Sequence, residues 1–94
     1  MSYSEKQIEH ALTLMVKARG GMAPKFVSPS FAGMPDRLVL LPGGVFAFAE
    51  LKAPGMKPRA LQLSRHRLLK DLGFKVYVID GIEQIEEVLN TSSR

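Results

Sequence analysis

Apolar residues recur at Ile8, Leu12, Met15 and Val16, the spacing of one face of a helix. Ser2-Tyr3-Ser4-Glu5 offers Ser2 as an N-cap with Glu5 three residues on, and Gly20-Gly21 stops the pattern. A short extended stretch follows from Lys25 to Ser28, closed by Pro29 and a loop through Gly33. Two apolar runs, Arg37 to Leu41 and Val45 to Ala49, flank Pro42-Gly43-Gly44, where proline fixes φ and the glycines admit positive φ. They predict an antiparallel hairpin. Apolar on alternate and intervening positions alike, its strands should be covered on both faces.

Leu61, Leu68, Leu69 and Leu72 mark a second helix that stops at Gly73. Phe74 to Ile79 reads as a β-branched strand, and Asp80-Gly81-Ile82-Glu83 as an N-cap with a reciprocal Glu. The last helix then carries Ile82, Ile85, Val88 and Leu89, with Glu83, Glu86 and Glu87 on its wet face and Asn90 to Arg94 as a frayed tail. The order is α-β-β-β-α-β-α, an α/β fold with a mixed central sheet flanked by helices. With 94 residues and no linker, one domain over residues 1–94 is expected.

If the hairpin turns on a three-residue loop, opposed residues have numbers summing to a constant that sets Asp36 across from Glu50. Directly opposed Cβ atoms lie about 4.5–5.5 Å apart, close enough for two carboxylates to share a cation. The side-chain period of two sends Glu50 and Lys52 to one face. Pro35 belongs at the mouth of a strand, which places Asp36 there too. A shift of one residue in the turn would part the pair. Two readings fit: polar strand ends with a surface Glu–Lys pair, or a site for Mg²⁺ or Mn²⁺ with the Leu51 carbonyl as a further ligand. Charged residues closing an apolar run call for partners, which sets the second reading level with the first.

There is no cysteine, so neither a disulfide framework nor a thiolate zinc site is available. His10 and His66 have no acidic or cysteine partner at ligand spacing. No apolar run approaches the length of a membrane span and no signal-peptide pattern opens the chain, so a cytoplasmic protein is expected. The formal charge is +4, with Lys and Arg crowded between Lys52 and Lys75. That local basicity suggests a polyanion partner, and Lys25, Arg37, Lys57, Arg59, Arg65 and His66 are the candidate phosphate contacts. The methionines read as core filler.

Gly33-Met34-Pro35-Asp36, the apolar strand, Glu50-Leu51-Lys52 and Gln62 on the following helix resemble the VRR-NUC (virus-type replication-repair nuclease) branch of the PD-(D/E)XK superfamily. The resemblance spans nearly the whole chain. It implies a restriction-endonuclease-like core in which Asp36 and Glu50 bind metal, Lys52 assists attack, and Gln62 and a first-helix glutamate complete the site. Glu5 fits the family's spacing for that glutamate, with Glu9 one turn on as the alternative; Glu5 also suits a capping box. The expected activity is Mg²⁺- or Mn²⁺-dependent endonucleolytic hydrolysis of DNA, on branched substrates such as Holliday junctions, by a homodimer in a bacterial or phage-infected host cell. A noncatalytic nucleic-acid-binding module and a ribonuclease using the same metal site are the alternatives.

Overall fold

The computed structural model describes residues 3–92. Its elements are α1 (Glu5–Ala18), β1 (Arg37–Leu41), β2 (Val45–Leu51), α2 (Ala60–Asp71), β3 (Val76–Ile79) and α3 (Glu83–Ser92). The sheet runs β1-β2-β3, antiparallel between β1 and β2 and parallel between β2 and β3. α1 and α3 cover one face through Ile8, Leu12, Val16, Ile85, Val88 and Leu89, which pack on Val39, Ala47, Ala49, Leu51 and Ile79. On the other face Leu69 of α2 meets Phe48 and Val76, and Phe46, Phe48 and Phe74 stack edge to face. The hairpin strands are covered on both sides, as their composition requires.

The helix ends follow local chemistry. Ser2 lies outside the described residues. The α1 cap is Ser4, whose hydroxyl accepts from the Gln7 N–H while Gln7 Oε1 accepts from the Ser4 N–H. At its other end the Gly20 and Gly21 amides bond back to Lys17 and Val16, a Schellman closure in which Gly20 takes a φ of 84°. Gly21 must stay bare, because a Cβ there would lie 2.1 Å from the Leu40 carbonyl oxygen. At α3 the reciprocal partner of Asp80 is Gln84, not Glu83: Asp80 N–H donates to Gln84 Oε1 and Gln84 Nε2 to Asp80 Oδ1. Residues 90–92 are helical rather than frayed; Asn90 accepts from Arg19, and Ser92 is buried.

The extended stretch before β1 does not make a strand of its own. Met22 and Lys25 form isolated bridges to Leu40 and Arg37, and Phe26 N–H donates to the Asp36 carbonyl at 2.8 Å. Pro24 sits between them in the same register. It accepts from Leu38 N–H but has no N–H to return, so the ladder is broken there.

α2 differs most from its leucine pattern. It buries Gln62, His66 and Leu69, while Leu61, Leu63, Leu68 and Leu72 remain exposed. Met22 and Met56 are exposed as well, not core filler.

Candidate metal centre

The hairpin register is the one its turn predicts: Arg37 faces Ala49 and Leu41 faces Val45, with Gly43 and Gly44 both at positive φ. One step further sets Asp36 across from Glu50. Asp36 is clamped from two sides, its carbonyl by the Phe26 amide and its Oδ2 by the Leu51 N–H at 2.9 Å. An extended residue turns its N–H and C=O to the same side, so the Leu51 carbonyl faces that edge as well. Fully buried Pro35 fixes the chain's entry.

Glu50 is 1% exposed, a carboxylate on an otherwise apolar strand that is buried from Ala47 onward. A charge there must be met by donors, and α2 supplies them. Gln62 Nε2 donates to Glu50 Oε2 at 3.1 Å, and His66 Nε2 lies 3.2 Å from Oε1. The Gln62 amide cannot flip without loss, because its Oε1 accepts from the Arg59 N–H at the helix start. Lys52, held by its own N–H to the Ile79 carbonyl, brings Nζ to 3.7 Å from Glu50 Oε2.

Burial first, and then the neighbouring Asp36 carboxylate, raise the Glu50 pKa from 4.5 to about 7, with Lys52 pulling the other way. His66 is pushed down, by burial foremost and then by Lys70, so its imidazole is neutral near pH 7. Against an ionised Glu50 the neutral ring carries its proton on Nε2 and donates it.

Asp36, Glu50, Lys52 and Gln62 thus come together, with the Leu51 carbonyl beside them. Neither first-helix acid joins the group. Glu9 is engaged with Arg37 at 2.9 Å on the α1 face of the sheet, and Glu5 is exposed one turn away at the helix start. Among the described residues no three His, Cys, Asp or Glu side chains are placed to hold a metal.

Two expected phosphate contacts are committed elsewhere. Arg37 is spent on Glu9 and on the Ala23 carbonyl at 2.7 Å. His66 is 4% exposed and serves Glu50. Its role had a signal in the sequence, since it lies one turn after Gln62 and a buried glutamate needs more than one donor. Lys25, Lys57 and Arg59 are exposed, while Arg65 is half-buried, donating to the Ala32 carbonyl and stacking on Phe31.

The chain is 51% identical over 77 residues to the protein named "Putative nuclease p44" of Acyrthosiphon pisum secondary endosymbiont phage 1, across 82% of this chain and 83% of that one. A solved structure described as a VRR_NUC domain matches with a TM-score of 0.85 and 30% identity, over 92% of this chain and 94% of that one. No family model matches the sequence.

Proposed function

This chain belongs to the VRR-NUC family of nucleases, and we propose that it is a Mg²⁺- or Mn²⁺-dependent endonuclease that hydrolyses DNA phosphodiester bonds. The observation that carries this is the buried Glu50 beside Asp36, two carboxylates kept together at energetic cost. The donor set fits a hard divalent cation: two carboxylates and the Leu51 carbonyl, all oxygen. A Mg²⁺ ion commonly takes one or two carboxylates and fills its other positions with water and substrate phosphate, so a three-acid cage is not required.

When bound, the cation polarises the scissile phosphate and lowers the pKa of an attacking water. Asp36 and Glu50 are its ligands. Lys52, on the Glu50 face, orients the water or offsets the charge that develops on the phosphate. Gln62 fixes one Glu50 oxygen, and His66 the other. Glu5, exposed at the start of α1 and outside the cluster in this structure, is kept as the candidate first-helix acid over Glu9, which is spent on Arg37. Lys25, Lys57 and Arg59, being exposed, take the flanking phosphates.

The His66 contact makes a prediction. His66→Ala leaves Glu50 Oε1 without its donor, and loss of such a partner typically weakens metal affinity about 10–100-fold. Mn²⁺ titration should show this in a protein that is still folded, and His66→Gln, which keeps an N–H, should recover part of it. Unchanged affinity in His66→Ala would refute the assignment.

We further propose a homodimer acting on branched DNA such as a Holliday junction, inside a bacterial or phage-infected cell. Support comes from the outer edge of β3, which has no strand partner among the described residues, and from Leu72, Phe74 and Val78 exposed near it. No helix among the described residues is long and apolar enough to cross a membrane.

The test is cleavage of a panel of single strands, flaps, four-way junctions, duplexes and RNA, with Mg²⁺ or with EDTA, alongside sedimentation. Mg²⁺-dependent cuts in junction DNA by a dimer are expected. Binding without cleavage would mean a noncatalytic module, preference for RNA a ribonuclease, and a monomer at micromolar concentration would exclude paired cutting.

A further inference from the structure

Phe31 is 42% exposed, yet it is not loosely held. Its amide closes a turn onto the Ser28 carbonyl. The Arg65 guanidinium lies 3.8 Å over its ring centroid, and Arg65 Nε donates to the carbonyl of the adjacent Ala32 at 2.8 Å. The loop is pressed so close to α2 that a Cβ on Gly33 would meet Leu61 Cγ at 2.8 Å. One face of the ring is therefore covered by a cation, and its exposure lies on the other face and the edge.

The position matters. Phe31 lies three residues before Met34-Pro35-Asp36, and Arg65 sits on α2 between Gln62 and His66, both of which hold Glu50. Phosphate neutralisation does not call for an apolar ring. An aromatic face backed by a guanidinium, on a chain whose Lys57 and Arg59 are exposed just before the helix that carries Arg65, suits a group that is flat, polarisable and tethered to phosphates.

We propose that Phe31, held in place by Arg65, is a stacking platform for an unpaired nucleobase next to the scissile phosphate. The bases of an intact duplex present no free face, so the platform selects DNA with unpaired nucleotides, such as a flap, a gap or an opened junction centre. This rests on the nuclease reading for the substrate's identity but not on catalysis, and the test separates the two.

The experiment measures binding of a flap carrying 2-aminopurine at the branch and of the matching perfect duplex, in the cleavage-impaired Asp36→Asn background, with and without Phe31→Ala. Stacking on an aromatic ring is worth about 1–3 kcal/mol per base. The flap-to-duplex affinity ratio should therefore fall about tenfold with Phe31→Ala, with loss of the 2-aminopurine quench, and return with Phe31→Trp. An unchanged ratio and quench would overturn the proposal. So would equal losses on both substrates together with a change in sedimentation, which would make the ring a subunit contact. If the parent protein proves to cut nothing while the ratio still depends on Phe31, the platform stands and the nuclease reading falls.

Discussion

Replacing Asp36 by Asn should lower the proposed Mg²⁺-dependent cleavage by roughly 10³-fold, on the basis of about 4 kcal/mol of lost transition-state charge stabilisation. The amide keeps an oxygen to accept from the Leu51 N–H, so the strand mouth stays closed. It also relieves the repulsion that, after burial, raises the Glu50 pKa. The melting temperature should hold or rise while activity is lost, and that separation distinguishes a functional acid from a structural one. Lys52→Met should behave alike in the assay, because its Nζ is the ammonium paired with Glu50. Its N–H bond to the Ile79 carbonyl does not depend on the side chain. Full activity in either variant, measured on a substrate the parent protein cuts, would remove that residue from the site.

Glu50→Gln should raise the stability of the metal-free protein at pH 8. The Glu50 carboxyl titrates at about 7 in the fold against 4.5 when unperturbed. Between those values the folded state holds the extra proton, so stability falls as pH rises from 4.5 through 7. Above pH 7 the shift corresponds to up to about 3 kcal/mol of destabilisation. Gln carries no charge and escapes it, less what its amide loses as an acceptor for both Gln62 and His66. For a domain of this size that difference amounts to about 10 °C in melting temperature. The variant's advantage should shrink towards pH 5, where the parent is protonated, and added Mg²⁺ should stabilise the parent alone. A variant less stable than the parent at both pH values would show that the pair is not strained.

Both predictions depend on features that the sequence displays unequally. The hairpin was legible because Pro42-Gly43-Gly44 fixes the turn and the turn fixes the register, and with it the partnership of Asp36 and Glu50. α1 and α3 were legible because the residues that pack on the sheet, Ile8, Leu12, Val16, Ile85, Val88 and Leu89, are apolar at helical spacing, with Ser92 a buried polar exception at the end of α3. α2 was not. Of the four leucines that marked the helix, Leu69 packs inward while Leu61, Leu68 and Leu72 face outward; the rest of the inward face is set by Glu50, whose buried carboxyl is met by Gln62 and His66. Polar residues at helical spacing opposite a buried acid are a signal that apolar periodicity cannot register. The fate of Arg37 was hidden for a related reason: its neighbour Asp36 points to the other face, and only the layer that holds Glu9 explains where its charge goes.

Joint ligation of one divalent cation by Asp36 and Glu50 is tested most directly by calorimetric titration of Mn²⁺ at pH 6.5 in two buffers of different ionisation enthalpy. With Glu50 titrating at about 7, binding should release about three-quarters of a proton per ion, and Asp36→Asn should abolish the binding. Mn²⁺ binding that releases no proton and survives Asp36→Asn would contradict it.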